Sequence, residues 1–353
     1  MQVGGGGLGP APTQARGHVD VHTPMSRTAK VRRRELNRWL VRCSDPLGPQ
    51  SNLPSSTLSP DEMCQLVKEA DAHGVLPALV ASIRAFEEVP GYEPARTDAL
   101  ARRRVGFGFS TMLRHHGEAI LVAAADLPVA IVKGCTFARR LYPAATLRPF
   151  SDVDLLVAPS AVPAVNDILR AQGFEFAAYA HDPERQEAKW VHRNNPAILV
   201  EVHTNLVHHP DLRASLSLTY DDIRHGPDTP AVLLAIATLH GALHRFERLR
   251  QIVDIRQAAR HMATRDDEAA FEKVLQRMGG RFAAIAGLEL AHRLFDERRC
   301  HDIAKALGPV RYSRVARWLV GPSAVASTMS GARFYHSWRR QAFRSMLKRS
   351  RRF

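Results

Sequence analysis

The chain has 353 residues, 45% hydrophobic and 24% charged, enough to bury one or two cores and unlike a disordered or fibrous composition. Lys and Arg number 49 against 35 Asp and Glu, and the resulting charge of +14 points to an anionic partner such as nucleic acid, an acidic surface or nucleotide phosphate. Cys43, Cys64, Cys135 and Cys300 contain no C-x-x-C pair, which argues against a zinc ribbon or a small disulfide scaffold and for a reducing compartment.

Residues 1–57 are rich in Gly and Pro, interspersed with basic clusters, and are expected to be a mobile N-terminal segment with one short, solvated basic helix over 28–42. The glycine-rich start lacks the apolar segment of a secretory signal. No apolar run approaches the ~18 residues of a transmembrane helix, so no transmembrane segment and a cytoplasmic location are expected. Residues 58–125 form a helical region that opens on "SPDEMCQLVKEADAHG". There Ser59 is the N-cap, Pro60 suits the first helical position, Glu62 completes a capping box and Gly74 ends the helix.

From 126 to 225 the pattern turns to short apolar runs: "LPVAIVKG", a helix in "CTFARRLYP", "SDVDLLVAP", and a helix in "AVPAVNDILRAQG". "FEFAAYA", "EAKWVHR" and "AILVEVHTNLV" add three strands, with "NNP" turning between the last two. Residues 226–310 return to helical period, with "AVLLAIATLHGALHRFERLRQIVDIRQAARHM" reading as continuous helix. The fold class is therefore α+β, a mixed-sheet core with flanking helical regions. The tail, 311–353, places Arg339, Arg340, Arg344, Lys348, Arg349, Arg351 and Arg352 around Trp338, Phe343 and Leu347. As a helix it is basic and amphipathic, suited to RNA or an anionic surface, and equally to a mobile solubilising role.

In "LRPFSDVDLLVAP", Asp152 and Asp154 share one face of a strand while Val153 and Leu155 take the other, which sets the carboxylates roughly 7 Å apart. Like charges so close call for a cation, and Mg²⁺ is the expected one. The alternative is that Asp152 caps the turn after Ser151 and Asp154 lies exposed on an edge strand. "AILVEVHTNL" repeats the alternation with Glu201 and His203, and three carboxylates on neighbouring strands suit two-metal phosphoryl transfer.

Upstream, Lys133 and Gly134 turn from strand to helix, with Cys135 and Thr136 opening the helix where backbone N–H groups can meet phosphate. Gly134 serves equally well as a packing residue, and the turn is no Walker A loop. His240, His244 and Arg248 recur every four residues, near Glu247 and Gln251, as a polar stripe that faces a cleft or solvent. His208 and His209 have no ligand spacing and read as loop histidines.

Taken together, "VAIVKGCTFARRLYPAATLRPFSDVDLLV", "VEVHTNL", "LHGALHRFERLRQIVDI" and "AHGVLPAL" resemble the bacterial uncharacterised nucleotidyltransferase family of the DNA polymerase β-like superfamily, over roughly residues 60–300. The resemblance implies Asp152, Asp154 and Glu201 as catalytic metal ligands and Gly134 as part of a phosphate turn. The chain departs from the superfamily pattern in having Cys135 after that glycine. The expected activity is Mg²⁺-dependent transfer of NMP from an NTP to an unidentified acceptor, a small molecule being favoured, with two ions. Lys133, Gly134, Cys135, Arg148, Ser151, His203, His240, His244 and Arg248 are the candidate nucleotide-binding residues, Lys133 and Arg148 as neutralising cations. A non-catalytic descendant binding nucleotide or nucleic acid as a regulatory module is the alternative.

Overall fold

The computed structural model describes residues 27–48, 57–83, 91–177, 186–308, 318–322, 325 and 338–349. Four helices come first: α1 (Arg27–Arg42), α2 (Pro60–Ala72), α3 (Leu76–Ile83) and α4 (Glu93–Ala123). The capping box of α2 forms as expected, with Glu62 N–H donating to Ser59 Oγ at 3.3 Å and Ser59 N–H donating to Glu62 Oε2 at 2.8 Å. The helix α1 is not a solvated one. Its Leu36, Trp39 and Leu40, with Cys43 just beyond, are buried in the main apolar core, because every third or fourth residue on one face of this basic segment is apolar.

Next come β1 (Val129–Val132), α5 (Gly134–Arg140), β2 (Val153–Val157), α6 (Val162–Ala171), β3 (Phe174–Phe176), β4 (Glu187–His192) and β5 (Asn195–His203). The strands form one mixed sheet in the order β1-β2-β5-β4-β3, with β2 and β5 parallel and every other pair antiparallel. Thus β2 is an interior strand, and all five of its residues are buried. One sheet face, with Val153, Leu155, Val200 and Val202, shares a core with Leu113 and Ile120 of α4 and Val165 and Leu169 of α6. A Cβ at Gly117 would come within 3.0 Å of Ile131 Cδ1, so glycine there lets α4 cross the sheet closely. Leu156 and Val132, on the other face, join the helical core.

That core is built by α7 (Pro210–Arg213), α8 (Tyr220–Ile223), α9 (Pro230–Leu243), α10 (Leu249–His261), α11 (Arg265–Met278), α12 (Arg281–Phe295), α13 (Arg298–Ala306) and α14 (Trp338–Lys348). The helix expected to run through α9 and α10 without interruption is broken. Arg245 and Phe246 take positive φ values of 55° and 52°, and the fully buried Phe246 ring packs over Gly241 and Gly287. Burial of this ring outweighs the conformational cost at two non-glycine residues.

The basic segment α14 is also docked. Phe343 and Leu347 are buried, the Phe343 ring lies 5.9 Å from both Phe246 and Phe282, and Arg344 and Lys348 pair with Asp211. Phe343 and Leu347 are therefore spent inside the protein, while Trp338 stays 61% exposed. No helix among the described residues is long and apolar enough to cross a membrane.

Candidate functional site

Parallel pairing of β2 with β5 sets Asp154 opposite Glu201 and Leu156 opposite His203. Antiparallel pairing of β5 with β4 sets Lys189 beside Glu201 and Glu187 beside His203. Side chains alternate along each strand, so Asp152, Asp154, Glu187, Lys189, Glu201 and His203 all line one cavity, whose opposite wall includes His240, His244 and Gln251. Its volume is about 310 Å³.

Ligand atoms of Asp154, Glu201 and His203 lie within 4.8 Å of one another, and among the described residues no other set of three such side chains does so. His203 Nε2 is 3.0 Å from Asp154 Oδ1 and 3.5 Å from Glu201 Oε2. Lys133 Nζ donates to the same Asp154 oxygen at 2.5 Å, and Lys189 Nζ donates to Glu201 Oε1 at 2.6 Å.

The charges are unevenly matched. Burial by itself raises a carboxyl pKa, yet Lys133 and His203 hold Asp154 far below the ordinary carboxylate range. Burial is likewise outweighed at Glu201, where the His203 and Lys189 bonds bring the carboxyl down to about 2. Asp152 has no ion-pair partner among the described residues, and burial with the charges of Asp154 and Glu201 pushes it up to about 6. His203 Nδ1 is buried with no hydrogen-bond partner, Glu187 Oε2 being 3.8 Å away. Two carboxylates and an imidazole nitrogen already gathered beside a third, uncompensated acid fit a divalent cation: the oxygens suit Mg²⁺ or Mn²⁺, and the nitrogen extends the set toward transition metals.

Lys133, between β1 and α5, has φ 53° and ψ −120°. The positive φ of this turn thus falls on a non-glycine residue, the kind of position that clusters at functional sites. Gly134 itself is tightly packed, a Cβ there lying 3.1 Å from Phe150 Cβ. Cys135 lies outside the cavity lining, and burial pushes its thiol pKa up.

Arg148 reaches the cavity, but its guanidinium is committed elsewhere. It is 3% exposed, donates to both Asp254 oxygens at 2.7 and 2.8 Å, and donates from Nη1 to Gly134 O at 3.1 Å. Tyr142 Oη donates to the same Asp254 at 2.8 Å. Rather than standing free to neutralise substrate charge, Arg148 holds the Lys133–Gly134 turn against α10.

His240, His244 and Arg248 do not share one helix face, because α9 ends at Leu243 and Arg248 caps α10. The reversal at Arg245 and Phe246 nevertheless delivers all three to the cavity. His208, read as a loop histidine, joins them there, its ring 6.4 Å from that of His244, which is 4.6 Å from His240. Desolvation lowers all three, His208 to about 3, His240 well below its usual value, and His244, the most exposed of them, to about 4 with the nearby charges of Lys133 and Arg245 adding to it, which favours neutral imidazole along this wall.

Ser151 lines the cavity as expected. Sequence reasoning missed Glu187, Lys189 and Arg250. The first two carried a signal: they alternate on a predicted strand that the "NNP" turn folds back onto Glu201 and His203. Arg250 carried none.

A model of a family described as uncharacterised nucleotidyltransferase matches residues 59–296. No curated protein and no solved structure matches the chain.

Proposed function

Because the chain belongs to the uncharacterised nucleotidyltransferase family, we propose that it transfers NMP from an NTP to an acceptor hydroxyl, a small molecule in preference to RNA or protein. The observation that carries this reading is the convergence of Asp154, Glu201 and His203 beside Asp152 in a cavity within the matched residues. Asp152 and Asp154 would hold one divalent ion, and Asp154, Glu201 and His203 a second. Such an ion, when bound, supplies stabilisation of phosphate charge.

The protein's own groups do the rest. Lys133 and Arg248 bind phosphate oxygens, Arg148 keeps the Gly134 turn in place, and the neutral imidazoles of His240 and His244 hydrogen-bond nucleotide or acceptor without adding charge. The acceptor oxygen bonds to the α-phosphorus in line as its hydroxyl proton passes to solvent water, the bridge to the β-phosphate breaks, and pyrophosphate leaves.

One observation favours the non-catalytic reading: Lys133 and Lys189 already pair with Asp154 and Glu201, so these acids are partly neutralised without a metal. Calorimetric titration of each NTP with Mg²⁺ into wild type and Asp154→Asn, followed by transfer of label from α-labelled NTP, separates the two. Metal-dependent binding lost in the variant, with label transfer by wild type, supports the transferase. Binding indifferent to EDTA and to Asp154→Asn supports the regulatory module.

A further inference from the structure

Arg250, in the first turn of α10, lines the cavity with Arg248 and Asp152. Of the other cations lining this space, Lys133 is matched by Asp154, Arg148 by Asp254 and Lys189 by Glu201, while Arg248 is exposed to solvent. Arg250 has no carboxylate within ion-pair distance among the described residues. Its Nη1 donates to Pro149 O at 3.0 Å, and its Nε is buried with no partner. Burial, together with the positive charges of Arg148 and Arg248, lowers its pKa. A guanidinium held in this way is costly until an anion reaches it.

The seat for this side chain is built in. Gly74 has φ +69°, and a Cβ on it would come within 3.0 Å of Arg250 Cδ, so the glycine after α2 makes room for the arginine stem. The α10 backbone is anchored to the same turn: Leu249 N–H donates to His73 Nδ1 at 3.1 Å and Arg250 N–H to His73 O at 3.2 Å. Since those N–H groups are taken, an anion at this corner is met by side chains rather than by the helix end.

We propose that Arg250, beside Lys133 and Arg248, receives the polyphosphate of the bound nucleotide, an assignment that rests on the NMP-transfer reading and extends it. The chemistry it selects is a phosphoanhydride oxyanion, which the donor's triphosphate or a phosphorylated acceptor would each supply. The donor is the source we assign, because Lys133 and Asp152 line the same cavity.

The test titrates inorganic tripolyphosphate, each NTP with Mg²⁺, and the matching nucleosides into the full chain and into Arg250→Gln. Loss of one charge-assisted contact should weaken tripolyphosphate and NTP in parallel by about 10- to 100-fold while nucleoside binding stays unchanged. Arg250→Met, which keeps the stem over Gly74, repeats the test if the Gln variant does not fold. Wild-type affinity for both phosphate ligands in the variants overturns the proposal, as does failure of the wild type to bind tripolyphosphate. Weakened tripolyphosphate with unchanged NTP overturns the donor assignment in favour of an acceptor phosphate. Failure of the transferase reading is separately visible: Arg250-dependent tripolyphosphate and NTP binding with no label transferred from any NTP removes that reading and leaves the anion site standing.

Discussion

Arg148 grips Asp254 with two parallel hydrogen bonds, Nε to Oδ1 at 2.7 Å and Nη2 to Oδ2 at 2.8 Å, across 106 positions of sequence. Both side chains are almost excluded from water, at 3% and 1% exposure. The pair ties the turn after β1 to α10, and it is a bidentate geometry that lysine cannot reproduce. Removing one partner strands a buried charge, so Asp254→Ala should cost about 3–5 kcal/mol of stability. The double change Arg148→Met with Asp254→Leu should cost less than the sum of the two single changes. Denaturant unfolding of the cycle checks this, and additive single changes would show the pair to be uncoupled.

Mn²⁺ titrated into the protein should report the carboxylate–imidazole site directly. Asp154→Asn and Glu201→Gln are each expected to weaken the ion at least ~10-fold, as loss of a charged ligand does, with His203→Ala somewhat less damaging. Circular dichroism confirms the fold. Unchanged Mn²⁺ affinity in all three would leave the cluster as an ion-pair network of the apo protein.

His73 gives a pH dependence of stability. Burial first, then the charges of Arg248 and Arg33, lower its pKa from 6.5 to about 4, and its Nδ1 accepts the Leu249 N–H. Between pH 6.5 and 4 the unfolded chain takes up a proton that the folded imidazole refuses, so stability is lost as pH falls through this window. The full contribution is roughly 3 kcal/mol. His73→Asn, which keeps an acceptor near Leu249, should show a shallower loss between pH 7 and pH 4.5 than wild type in matched urea titrations. Parallel curves would refute it.

Gly241→Ala should destabilise the protein by about 1–3 kcal/mol through overpacking. The added methyl would lie 2.7 Å from Phe246 Cε1 and 2.8 Å from Cδ1, against the ring that sets the break between α9 and α10. Thermal unfolding measures the cost. A second readout is Mg²⁺-NTP affinity, which should fall too because His244 and Arg248 flank the displaced ring; a variant as stable as wild type would mean the ring moves freely.

Local pattern was sufficient for elements whose ends and faces are set by neighbouring residues. The capping box at Ser59, the alternation around Asp154 and Glu201, and the helix of "VPAVNDILRA" were all legible because propensity and periodicity act within a few residues. The acidic face of the sheet could be read from the i and i+2 spacing alone, since a strand offers successive side chains only two directions.

Tertiary structure decided what depends on partners far along the chain. Strand order and register determined that His203 would join Asp154 and Glu201, and that Lys189 would neutralise Glu201. Burial of Phe246 against Gly241 and Gly287 broke a helix that periodicity alone would continue. Arg148 and Arg250 show the division most plainly. Both are arginines of the same charge in the sequence, yet one is consumed by Asp254 and the other is left facing the cavity. A side chain's charge is written in the sequence, but whether that charge is already spent depends on which distant carboxylate the folded chain brings within reach.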